Sequence, residues 1–183
     1  GVVIVLGLIL TYRITDNIWA SFAFPFYLQE LQYTGDEVAF ASKIFGVFMT
    51  MAGIALGAFL FATMGRMPTL LVGAIVAAAS NLLFADLAAG APYIDAFARL
   101  LGLDAFEPDL RMTRLMIAIS GENIAGGLAG AAYVAYLSSI TSREFSAVQY
   151  ALLSSLTFLI GSLGRAAVGE AIDEIGYAPV FLW

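Results

Sequence analysis

Apolar runs long enough to cross a bilayer recur along this chain, and they leave it few folds to choose from. A membrane-spanning helix takes about 20 mainly apolar residues. Such runs occupy residues 1–30, 38–63, 67–87, 115–137 and 147–168, and residues 178–183 begin a further one. Within lipid every backbone N–H and C=O must be satisfied by the protein itself, so runs of this kind are read as helices. The expected fold class is therefore all-α, a polytopic transmembrane helix bundle whose first partner is the lipid bilayer. Composition agrees: 61% of residues are hydrophobic and 12% charged, against roughly 45–50% and about 25% in soluble domains.

The same composition removes several function classes. The net charge is −6 and no basic cluster stands out, so no nucleic-acid partner is expected. The chain has neither Cys nor His, which excludes disulfides, thiol nucleophiles, imidazole bases and the usual zinc ligands. Only Asp, Glu, Ser and Lys remain for catalysis, and no motif gathers them, so neither an enzyme nor a cofactor is expected. Gly1 opens directly into an apolar run and Trp183 ends inside another, which reads as a fragment of a longer protein.

Polar residues inside the apolar runs carry the functional information, because ionisable groups in membrane spans face protein or water. In the first run Arg13 precedes Asp16 and Asn17 by three and four residues, so the three share one inward helix face. A structural ion pair is the alternative reading. Pro25 is expected to kink this helix and free a carbonyl. In the second run Lys43, Gly46, Thr50, Gly53 and Gly57 form one stripe, whose glycines suit close helix packing. Lys43 either serves the interior or extends its charge to the headgroups.

The third run has only Ser80 and Asn81 as clear polar members before Asp86, and it is expected to lie peripherally, facing lipid. In the connection that follows, Pro92 can start a short helix whose apolar stripe, Tyr93, Ile94, Phe97, Leu100 and Leu101, opposes Asp95 and Arg99. That pattern suits a helix on the bilayer surface.

The fourth run aligns Glu122, Gly126, Gly130 and Tyr133, with Asn123 beside them. The fifth opens with Gln149 and aligns Tyr150, Ser154, Thr157, Gly161 and Arg165 against a leucine stripe. A polar stripe opposed by leucines argues for a cavity on one face and lipid on the other. The expected arrangement is a polar cavity enclosed by the first, second, fourth and fifth spans. Tyr133, Tyr136 and Tyr150, with nearby amides and hydroxyls, suit a sugar's apolar face and its hydroxyls. Arg165 is placed to pair with a carboxylate of another span. Arg13 lies within helical reach of Asp16, which suits a structural or substrate-orienting role. Glu122 has no basic residue on its own span and is the first candidate to carry a proton. Loop arginines, Arg66 and Arg143 on one side and Arg99, Arg111 and Arg114 on the other, do not decide orientation.

Several strings resemble one family: Tyr12-Arg-Ile-Thr-Asp16, Pro25-Phe-Tyr27, Ser42-Lys-Ile-Phe-Gly46, Asn123 with Ala135-Tyr-Leu-Ser-Ser139, and Gln149-Tyr-Ala-Leu-Leu-Ser-Ser155. Together they are similar to the second half of AmpG-type muropeptide permeases of the major facilitator superfamily. The Gly65-Arg66 turn resembles that superfamily's cytoplasmic loop motif without its acidic residue. The resemblance implies that the spans are helices 7 to 11 of twelve, that residues 178–183 open helix 12, and that the Arg66 and Arg143 side is cytoplasmic. It also implies a missing N-terminal half, proton-coupled import of a small-molecule glycopeptide, an anhydromuropeptide, and residence in a bacterial inner membrane. Acetyl-coenzyme A transporters are related in sequence and give an alternative substrate. A non-transporting assembly subunit would explain the small-residue faces but not polar groups on three spans.

Overall fold

Four helices long and apolar enough to cross a membrane dominate the computed structural model, and no strand occurs among the described residues. These are residues 7, 11, 12, 14–19, 21–140 and 146–182; the side chains of 15–17, 140, 146 and 150 lie outside the description. The chain is an integral membrane protein of the all-α class.

The first run is represented by α1 (Ile14–Trp19) and α2 (Ala23–Pro25), the latter widening into a π-helical turn over Phe26–Glu30. Pro25 cannot donate a backbone hydrogen bond. The turn that follows closes through Leu31 N–H donating to the Phe26 carbonyl at 3.0 Å. The second membrane helix, α3 (Gly35–Met64), starts at a capping box in which Thr34 and Glu37 satisfy each other's backbone N–H groups. It too contains a π-helical stretch, Phe40–Phe45. Gly65, at φ 81°, supplies the left-handed turn into α4 (Arg66–Ala88). A short α5 (Pro92–Leu100) and a 3-10 turn (Leu103–Ala105) lead to α6 (Arg111–Ile140). Then come α7 (Ser146–Ile175) and α8 (Tyr177–Val180).

Helix α6 is the central element, packed between α3 and α4, while α1 packs on α7 and α8 touches α4 and α7. Lipid tails are as apolar as leucine, so these helices gain little from leaving lipid and depend on close contact instead. Glycine provides it. A Cβ on Gly53 would strike the Ile124 carbonyl, one on Gly57 would lie 2.9 Å from the Leu128 carbonyl, and one on Gly127 would strike the Thr50 carbonyl. The α3 stripe is thus a packing surface from Gly46 to Gly57.

The expectation that the third run lies at the periphery is overturned. Thr69, Leu70, Gly73, Ser80, Phe84 and Leu87 of α4 are buried. A Cβ on Gly73 would approach Ala129 Cα to 3.2 Å. Counting ionisable residues failed here because α4 meets α6 through a glycine and small or apolar side chains, which look the same in a sequence whether they face lipid or protein.

Two clusters close the interior. In the larger, the rings of Trp19, Phe26, Tyr27, Phe84, Tyr177 and Phe181 are in mutual contact, with Trp19 and Phe181 centroids 4.7 Å apart and Phe26 and Tyr177 at 4.9 Å. Aromatic pairs prefer such edge and offset geometry. The smaller gathers Leu70, Ala132, Tyr133, Tyr136 and Leu137.

Candidate functional site

A cavity of about 860 Å³ opens among α1, α2, α3, α4 and α6. Its apolar wall includes Trp19, Phe24 and Ile54, and its polar wall Ser42, Lys43, Thr50, Ser80, Asn81, Glu122 and Asn123. The glycines and alanines of α6 between Ala125 and Ala135 make the floor. A concave space with a few convergent polar groups on apolar walls is the usual form of a small-molecule site.

Glu122 is half-buried on α6, and the Tyr27 hydroxyl donates to its Oε2 at 3.4 Å. Tyr27 itself is 3% exposed, held by the aromatic cluster. The next residue, Asn123, fixes its amide in two ways: Nδ2 donates to the Ile119 carbonyl at 2.8 Å, and Thr50 Oγ1 lies 2.7 Å from Oδ1. Thr50 Oγ1 is also 3.0 Å from the Gly46 carbonyl of its own helix. Polar groups in lipid need internal partners of this kind. Lys43 is exposed to the cavity, its ammonium 6.0 Å from the centre of the Phe24 ring, near the limit for a cation–π contact. Among the described residues Lys43 enters no ion pair.

Of the residues singled out from the sequence, the cavity brings together Lys43, Glu122 and Asn123. Tyr133 and Tyr136 are buried away from it. Tyr133 stacks on Tyr12 with centroids 5.8 Å apart, and its hydroxyl lies 3.1 Å from Thr157 Oγ1, which ties α6 to α7. Tyr136 is 5% exposed in the same cluster. Gln149, Ser154 and Arg165 sit on α7, which contributes no lining residue among those described. Ser154 lies 3.4 Å from the Ala151 carbonyl, and Gln149 and Arg165 are half-buried. Arg13, and the side chains of Asp16, Asn17 and Tyr150, lie outside the described residues.

Sequence reasoning missed Tyr27, Ser80 and Asn81 as members of the lining. Pro25, two residues before Tyr27, was the available signal for a break that redirects the chain.

A second polar assembly lies at the membrane edge where α3 and α6 begin and α4 ends. Arg111 pairs with Glu37, Nε to Oε1 at 3.2 Å, donates from Nη2 to the Gln32 carbonyl at 2.6 Å, and stacks over Tyr33 at 4.5 Å. The Tyr33 hydroxyl returns a bond to the Arg111 carbonyl at 2.7 Å. Burial pushes the Tyr33 phenol up to about 12, although Arg111 and Arg114 pull it the other way. Arg114 grips Asp95 through two bonds of 2.6 and 2.7 Å, which hold the Asp95 carboxyl below its ordinary value against the opposing effect of burial. Burial alone would raise Glu107, yet bonds from the Thr113 hydroxyl and the Met112 and Thr113 N–H groups outweigh it and leave Glu107 lowered. Those bonds cap the start of α6. Asp86 accepts from the N–H groups of Tyr93 and Ile94 at 3.2 and 2.8 Å, capping α5.

No protein-family model matches the chain. Its sequence is similar from end to end to AmpG transporters. It is 27% identical over 181 residues to AmpG 4 of Rickettsia conorii, covering 99% of this chain and 39% of that protein. Identity to AmpG 1 of Rickettsia bellii is 28% over 182 residues, covering 100% and 40%. The anhydromuropeptide permease of Escherichia coli K12 is 28% identical over 184 residues, covering 98% and 33%. The chain therefore spans well under half the length of these relatives, which carry the names of transporters or permeases rather than enzymes.

Proposed function

We propose that this chain is the C-terminal half-bundle of a secondary active transporter of the major facilitator superfamily, importing anhydromuropeptides across a bacterial inner membrane in symport with protons. One observation carries the reading: a carboxylate, an ammonium, an anchored amide and hydroxyls from separate membrane helices converge on one cavity. The end-to-end similarity to proteins named as AmpG transporters and as an anhydromuropeptide permease supports the substrate class.

In this reading the cavity walls divide the work. Trp19 and Phe24 offer flat apolar surfaces to a sugar ring, and Thr50, Ser80, Asn81 and Asn123 offer hydroxyl and amide partners. Lys43 attracts a substrate carboxylate, and Glu122 takes up and releases the proton, with Tyr27 fixing its orientation. Asp16, Asn17 and Arg13 of the first run, and Gln149, Tyr150, Ser154 and Arg165 of α7, belong to the part of the pathway shared with the other half. Transporter sites of this superfamily lie between two halves that rock about a central site.

Uptake of a labelled anhydromuropeptide by vesicles containing the full-length protein tests the reading. Saturable uptake driven by an inward proton gradient is expected, and this chain alone should give no uptake above background. A full-length protein that folds, yet shows neither uptake nor exchange of the muropeptide, contradicts it.

A further inference from the structure

We infer that the outer face of α5 and the turn after it sits in the headgroup layer of the bilayer, as a fixed interfacial anchor. This holds whether or not the cavity carries a solute.

The sequence stripe splits in two once folded. Ile94 and Ala98, four residues apart, turn inward and are 2% and 0% exposed. Tyr93, Phe97, Leu100 and Leu101 stay outside, with Tyr93 at 81% and Leu100 at 82% exposure, and Phe106 joins them at 89%. Asp95, expected on the watery face, instead points back to Arg114, with 13% of its side chain exposed. What remains outward on α5 is therefore apolar and aromatic, next to the 61% exposed side chain of Arg99, and in the following turn the exposed Asp104 stands two residues before Phe106.

Continuity with the bilayer identifies the occupant. Membrane helix α4 ends at Ala88, α5 starts at Pro92, and α6 enters the membrane from Arg111, so α5 is tethered at both ends to the membrane edge. Tyrosines and phenylalanines with an adjacent arginine suit that layer, where rings meet acyl chains and a guanidinium meets phosphate. The segment is also held rigidly, by the Asp86 cap at its start, the Asp95 and Arg114 pair in its middle and the Glu107 cap at its end. An anchor so fixed would set the depth of α4 and α6 in the bilayer.

This chain contributes no cysteine of its own, so single nitroxide labels can be placed through Leu100→Cys, Phe106→Cys and, for comparison, Arg99→Cys. The host is the full-length protein in phospholipid vesicles, with any cysteine elsewhere replaced. Relaxation by oxygen, which concentrates in lipid, is compared with relaxation by a water-soluble nickel chelate. The ratio of oxygen to nickel accessibility should be severalfold higher at positions 100 and 106 than at 99. Low ratios at 100 and 106, with the nickel chelate reaching both labels freely, would mean the face is in water, and exclusion of both reagents there would mean a protein surface covers it; either result overturns the anchor.

Discussion

Tyr27 and Glu122 stand 95 positions apart in sequence, and the Tyr27 hydroxyl donates to the Glu122 carboxylate at 3.4 Å beside the cavity. The contact depends on the π-helical turn after Pro25, which carries Tyr27, and on the aromatic cluster that leaves its ring 3% exposed. A carboxylate that meets a cavity on one side is oriented by the fixed hydroxyl on the other.

Replacing Tyr27 with Phe removes the hydroxyl and keeps the ring. A bond to a charged group contributes about 1.5 kcal/mol at the lower end, the end that suits this distance, so uptake by the full-length protein should fall about tenfold. The pH profile of uptake should move as well. An unchanged profile in Tyr27→Phe would remove Tyr27 from the proton pathway.

Gly53 and Gly126 make a contrasting pair. A Cβ at Gly53 collides with the Ile124 carbonyl, whereas nothing lies within 4 Å of one at Gly126. Gly53→Ala should cost about 1–3 kcal/mol by forcing α3 from α6. Gly126→Ala should be neutral, or stabilise by up to about 1 kcal/mol through lower backbone entropy in the unfolded chain. Thermal unfolding in detergent should rank the variants in that order.

The Asp95 and Arg114 pair predicts an acid-dependent loss. Because the folded carboxyl is held below its ordinary value of 3.8, its contribution is fully present above about 3.8 and disappears as pH falls through the lower folded value. Asp95→Asn should lower stability at neutral pH by about 2 kcal/mol, since the pair is largely shielded from water, and should flatten the pH dependence below 4. Unfolding midpoints of both proteins between pH 3 and 7 check this.

The fold class was legible because apolar runs of membrane length admit few structures, and Glu122 stood out because a carboxylate in such a run must have a reason to be there. Other parts were hidden for physical reasons. A helical wheel of 3.6 residues fails across the π-helical stretches Phe26–Glu30 and Phe40–Phe45, so faces assigned from spacing drift there. Tyr133 and Tyr136 illustrate a different limit. An amphipathic ring can face a cavity or fill a helix contact, and for Tyr133 the contacts that decide come from Tyr12 and Thr157, in distant stretches of the chain. Ser80 and Asn81 were obscured because the middle of α4 meets α6 through glycine and apolar side chains, and the bidentate grip of Arg114 on Asp95 reversed the face on which that charge was expected.

If Glu122 carries the coupled proton, as we propose, the Glu122→Gln variant of the full-length protein separates proton coupling from substrate exchange. In vesicles loaded with unlabelled anhydromuropeptide and held without a proton gradient, labelled substrate should exchange at close to the normal rate. With an inward proton gradient, net accumulation should be abolished. Gradient-driven accumulation that keeps its normal pH dependence in Glu122→Gln would exclude Glu122 as the proton carrier.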